Sequence, residues 1–166
     1  GKNRPITIGE WDGAQSPRLD KLANLAEKAG LETTVSDNPR LEAWTKFVGF
    51  ATVSALTCLT RQSLPWLAEQ PSTRELVGES MNEILAIANA RGINLPADII
   101  ENTLAFLSTL PPHWKTSMCN DLEAGKPIEL ESTSGAVRRL GSSANLPTPF
   151  HDFAYRVLLP FAAPLA

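Results

Sequence analysis

The sequence predicts an all-α fold, a helical bundle preceded by a short extended N-terminal segment. Three observations carry this. Helix start and stop signals recur along the chain, and the apolar residues between them fall at spacings of three and four. The run from Phe47 to Leu59 holds no charged residue, is too short to cross a bilayer, and is apolar nearly all round, as a central covered helix must be. The length, 166 residues, suits one domain with its own core. Fifteen basic residues against 18 acidic give a net charge of −3, which argues against a nucleic-acid surface. Cys58 and Cys119 are the two cysteines, neither a disulfide framework nor a zinc set. No basic-then-apolar leader and no membrane-length apolar run opens the chain, so a cytoplasmic location is expected.

Taken in order, Ile6-Thr7-Ile8 reads as a strand before a turn at Asp12-Gly13. Ser16-Pro17 is an N-cap with proline at the first helical position; Leu19, Leu22, Ala26 and Ala29 mark one face, and Gly30 ends the helix. Thr33–Val35 suits a short strand. Asn38-Pro39 repeats the start signal for a long helix reaching about Arg61, with Leu41, Trp44 and Val48 on one face. Ser72-Thr73-Arg74-Glu75 has the capping-box pattern, followed by Val77, Met81, Ile84, Leu85 and Ala88 and closed by Gly92. Further helices are expected from Pro96 to the Pro111-Pro112 stop, from Ser117 to Ala124 before Gly125, from Ile128 to Leu140, and from Thr148-Pro149 to Pro160. The last carries Phe153, Val157 and Leu158.

Neither Gly-x-Gly-x-x-Gly, a P-loop nor Gly-x-Ser-x-Gly is present, and His113 and His151 read as surface or packing residues. Lys46 stands at the edge of the uncharged run, with Phe50 and Ser54 on the same helical face. Alone it reads as an exposed lysine with a snorkelling stem, or as an ammonium on the floor of a cleft able to protonate a developing alkoxide. Ser117 alone reads as an N-cap, and Glu129, 12 positions on, as a helix-dipole partner.

Together these residues resemble the C-terminal domain of the ketopantoate reductases (2-dehydropantoate 2-reductases). Trp44-Thr45-Lys46-Phe47 resembles the family's Trp-x-Lys segment. Ser117-Met118, Asp121, Gly125-Lys126-Pro127, Glu129 and Gly135 match its Ser-Met…Asp…Gly-x-x-x-Glu…Gly pattern with the serine-to-glutamate spacing intact. Ile6-Thr7-Ile8-Gly9-Glu10 looks like the segment leaving the cofactor domain, and Pro147-Thr148-Pro149 like the opening of the final helix.

The resemblance implies a two-domain reductase serving pantothenate synthesis. Residues 1–13 would leave an N-terminal Rossmann domain that binds NADPH, and residues 14–166 would form the helical substrate-binding and dimerisation domain of a homodimer. The substrate would be 2-dehydropantoate or a related small 2-oxo acid. Lys46 would polarise and protonate the ketone oxygen, Ser117 would hydrogen-bond the substrate, and Glu129 would sit near Lys46 and the nicotinamide end. The family places substrate-binding asparagines one and two turns after the lysine, where this chain has Phe50 and Ser54. Phe50 offers no hydrogen bond and Ser54 a shorter one, which points to a different or more apolar 2-oxo acid. With no dinucleotide fingerprint, these residues alone are expected to be inactive. The rival expectation is a non-catalytic helical interaction module that kept the fold.

Overall fold

The computed structural model describes residues 6–162; the first five residues of the expected extended segment lie outside the described residues. The chain divides into two compact units, Gly1–Trp44 and Thr45–Ala166. Among the described residues there are eight α-helices and one pair of short strands, so the all-α expectation holds.

The first unit is a strand–helix–strand. Strand β1 (Ile6–Ile8) pairs in parallel with β2 (Thr33–Val35), Ile6 opposite Thr33 and Ile8 opposite Val35. Helix α1 (Pro17–Lys28) is the crossover that a parallel pair requires. Its start is the one the sequence specifies: the Ser16 hydroxyl accepts from the Leu19 amide at 3.2 Å. Glu10 binds both Ser16 and Arg18, and the Arg18 guanidinium, with the Ser16 hydroxyl, holds its carboxyl down at about 2. The Asp12-Gly13 turn forms with Gly13 at φ +79°, where a Cβ would stand 2.2 Å from the Asp37 carbonyl, so only glycine fits. The expected α1 face is half right. Leu19 and Ala26 are buried, but Leu22 is 51% exposed and Ala29 is also exposed.

Helix α2 (Pro39–Thr60) runs from the first unit into the second, opened by Asn38, whose side chain accepts from the Leu41 amide at 3.1 Å. Every residue from Ala51 to Cys58 is buried, as the uncharged run predicts. The chain continues with α3 (Leu64–Glu69), α4 (Pro71–Ala90), α5 (Ile99–Ser108), α6 (Ser117–Glu123), α7 (Ser134–Ala144) and α8 (Pro149–Leu158). Helix α3 packs on α4 and α5, and α7 on α4 and α8.

Several boundaries differ from the sequence reading, each for a local reason. Helix α3 was not expected; six residues show no period, and burial of Leu64, Leu67 and Ala68 stabilises it instead. The capping box does not form. Pro71 starts α4 one residue before Ser72, and Thr73 turns its hydroxyl to the Leu67 carbonyl at 2.8 Å. Helix α5 begins at Ile99 after a turn at Pro96. Helix α7 begins at Ser134 rather than Ile128, because Ile128 bridges to Ala162, Leu130–Ser132 form a 3-10 turn, and Thr133 leaves helical geometry at φ −109°, ψ −106°. Gly141 lies inside α7, where a Cβ would stand 2.6 Å from Thr148 Cγ2, letting the start of α8 approach closely. On α8, Phe153 and Val157 are exposed, while Ala154, Leu158 and His151 face the core.

A buried polar chain ties four helices together. The hydroxyls of Thr52 and Ser80 are 2.9 Å apart, Ser80 Oγ is 3.0 Å from His151 Nε2, and His151 Nδ1 is 3.1 Å from Ser134 Oγ. Burial pushes the His151 imidazole down to about 4, so it is neutral in the fold. Glu83 on α4 accepts from the backbone N–H groups of Phe150 and His151 at 2.6 and 3.2 Å, satisfying the free start of α8.

Candidate functional site

Helix α2 places Lys46, Phe50 and Val53 on one stripe, at spacings of four and three. Helix α5 places Ile99, Asn102, Thr103 and Phe106 on another, at spacings of three, one and three. The stripes meet where α2 has no side chain: a Cβ on Gly49 would stand 3.8 Å from the Thr103 side chain. Between them lies a cavity of about 560 Å³, walled further by Leu64, Leu107 and the Thr116-Ser117 pair. It lies wholly within the second unit.

Lys46, Phe50 and Ser117, three of the residues singled out from sequence, line this cavity. Among the described residues Lys46 is the one charged side chain on its wall, and it forms no ion pair there. It is exposed at the wall rather than buried on a floor. Ser117 is not the N-cap. Thr116 takes that place, its hydroxyl accepting from the Cys119 amide at 3.2 Å and meeting the Thr57 hydroxyl at 2.8 Å. With its neighbour doing the capping, the exposed Ser117 side chain stands at the cavity.

Ser54 and Glu129 are placed elsewhere. Ser54 is fully buried, is absent from the cavity wall, and its hydroxyl has no hydrogen-bond partner. Glu129 is exposed and also off the wall. It projects outward between Ile128 and Leu130, which are buried in one cluster with Met118 and Cys58. Thr133, just beyond, donates to Met118 Sδ at 3.6 Å. The glutamate is thus anchored by residues packed on the neighbour of Ser117.

Sequence reasoning missed Asn102, Thr103 and Thr116 as wall residues. The Thr116-x-x-Cys119 spacing could have marked the cap; nothing local marks Asn102. The two cysteines supply no nucleophile, because burial pushes Cys58 up to about 12 and raises Cys119, whose thiol donates to the Thr57 carbonyl at 3.2 Å. Among the described residues no group of three His, Cys, Asp or Glu side chains could hold a metal ion. Chemically the wall offers one ammonium, one free hydroxyl, the Asn102 carboxamide and a largely apolar surface.

Residues 38–161 match the family described as ketopantoate reductase PanE/ApbA C terminal. A 2-dehydropantoate 2-reductase of Mesorhizobium japonicum is 32% identical over 151 residues, 91% of this chain and 46% of that protein. The crystal structure of 2-dehydropantoate 2-reductase from Methylococcus capsulatus superimposes with a TM-score of 0.82 at 30% identity, over 96% of this chain and 52% of that one. A dimeric ketopantoate reductase from Staphylococcus aureus gives 0.85 at 21% identity, over 96% and 54%, a likeness of fold alone. The chain spans about half the length of the curated relatives it matches.

Proposed function

The chain belongs to the ketopantoate reductase family, an oxidoreductase family, by its match to the C-terminal domain, and on that premise we propose that it supplies the substrate-binding side of a reductase that converts a 2-oxo acid to the 2-hydroxy acid. The observation that carries the reading is the shared cavity. Lys46 and Ser117, 71 positions apart in sequence, line one pocket.

In this reading Lys46 Nζ donates to the ketone oxygen and then gives it a proton as negative charge develops there. An ammonium stabilises that oxygen more in the transition state than in the neutral ketone, which is what accelerates the step. Ser117 Oγ hydrogen-bonds the substrate, and the aromatic ring of Phe50 packs beside it. Glu129 enters through the family resemblance, as a carboxylate that balances the lysine charge and orients groups at the reacting end. Ser54 is not given a substrate contact, since its hydroxyl does not reach the wall.

The described residues contain no glycine-rich phosphate cradle, and the wall carries a single cation, so this chain does not fit a dinucleotide by itself. NADPH, held by a preceding Rossmann domain, supplies the hydride in this proposal. The first unit supports such a neighbour. Parallel strands occur almost only in larger sheets covered on both faces, yet among the described residues the pair stands as two strands. Trp11, Leu22, Leu25 and Leu31 are exposed in the same unit, from 43% to 66%. The whole protein is proposed to act as a cytoplasmic homodimer. Among the described residues no helix is long and apolar enough to cross a membrane.

The test is Lys46→Ala in the full-length protein, following NADPH oxidation with 2-oxo acids. A loss of at least about 100-fold in kcat with an unchanged circular-dichroism spectrum is expected. Unchanged turnover removes Lys46 from the reaction, whereas no turnover by the unsubstituted protein favours the non-catalytic module.

A further inference from the structure

Resting on the reductase reading above, we propose that the cavity selects 2-oxo acids whose chain beyond the ketone is bulky and apolar, and that Phe50 is the residue that sets this preference.

The two polar anchors, Lys46 and Ser117, stand on a wall that is otherwise mostly apolar. Thr116, next to Ser117, meets Thr57, which lies 11 residues beyond Lys46 on α2. A substrate whose ketone oxygen meets the lysine extends its chain along the α2 surface that leads on from it. On the wall that surface is Gly49, Phe50 and Val53, with no polar side chain among them. Leu64, Phe106 and Leu107 continue the apolar lining.

The other polar atoms of the wall are mostly engaged. The Thr103 hydroxyl donates to the Ile99 carbonyl at 2.7 Å, and the Thr116 hydroxyl is shared between Thr57 and the Cys119 amide. Asn102 is the one amide on the wall. A substrate hydroxyl lying along Phe50 would leave water without a replacement partner, which is unfavourable. An alkyl or aryl group in the same place gains by burial and pays no such penalty.

The experiment measures initial rates of the full-length protein with NADPH and three probes: phenylpyruvate, 4-methyl-2-oxopentanoate, and ketopantoate with its terminal hydroxyl. At least one apolar probe is expected to exceed ketopantoate in kcat/KM by about tenfold or more. Phe50→Asn is expected to shift that ratio towards ketopantoate by at least about tenfold, while Phe50→Leu keeps it. Asn102→Ala is expected to leave the preference in place. Reduction of all three with ketopantoate preferred, or a ratio unmoved by Phe50→Asn, overturns the selectivity proposal and leaves the reductase reading standing. Loss of the preference in Asn102→Ala moves the selectivity from Phe50 to the amide and likewise overturns it. No hydride transfer to any probe overturns the reductase reading and the selectivity with it.

Discussion

The two sides of α2 follow opposite rules. Towards the cavity the helix presents Gly49, Phe50 and Val53 beside one lysine. Thr52 points the other way, about 200° round the helix from Phe50, and joins the chain of hydroxyls and imidazole that runs through Ser80, His151 and Ser134. The open side is mostly apolar and the closed side holds polar groups. Each buried polar atom on the closed side has a partner, so it costs little and fixes how four helices register. The open side has an apolar surface without an internal partner, which is a surface for a ligand. Polarity alone does not separate function from structure; satisfaction does.

The largest expected effect tests the closed side. His151→Ala removes the group that holds Ser80 to Ser134 and leaves both hydroxyls in a cavity, so a loss of about 3 kcal/mol in urea unfolding is expected. A loss below about 1 kcal/mol breaks the contrast with the open side.

Acid sharpens the same point. His151 is held down at about 4 in the fold against an ordinary 6.5, so below pH 6.5 the unfolded chain takes up a proton that the folded chain refuses. Stability therefore falls with falling pH across that window, by about 2 kcal/mol at pH 5 for this group alone. Glu83, raised by burial, takes up a proton more readily in the fold and offsets part of the loss, while Asp152 favours the charged imidazole weakly. Denaturant titrations at pH 7 and pH 5 check the sign, and His151→Gln should flatten the slope.

Smaller effects lie where α2 meets α6. Thr116→Ala deletes the α6 cap and the partner of Thr57, for an expected cost of about 1–2 kcal/mol. The same variant should raise KM in the full-length protein, because Ser117 loses its fixed position. The smallest expected change is a gain. The Ser54 hydroxyl is buried without a partner, so Ser54→Ala should stabilise the chain by about 1 kcal/mol, a few degrees in Tm. A loss of substrate affinity in that variant would instead show that Ser54 reaches the ligand.

Much of the fold was legible where punctuation is local. Ser16-Pro17, Asn38-Pro39 and Thr148-Pro149 start helices at the positions they mark, and Gly30, Gly92 and Gly125 stop them with φ between +69° and +76°. Where punctuation competes, reading fails. Ser72-Thr73-Arg74-Glu75 lost its cap to Pro71, and Ile128 went to a bridge with Ala162 because partners distant in sequence outbid a helical period. Of the candidate site, Lys46, Phe50 and Ser117 could be named from motif spacing. Asn102 and Thr103 could not, since a wall is defined by what faces it.

The sequence by itself determined most of the helices, the covered centre of α2 and the family, because hydrogen-bond caps, backbone dihedrals and apolar spacing act within a few residues. Only the tertiary structure decided which polar groups are hidden and which are open. It put His151 in the core and Ser54 out of reach, freed Ser117 by capping through Thr116, and left Leu22 and Phe153 exposed. Burial is a property of neighbours supplied by other helices, and no single segment carries that information.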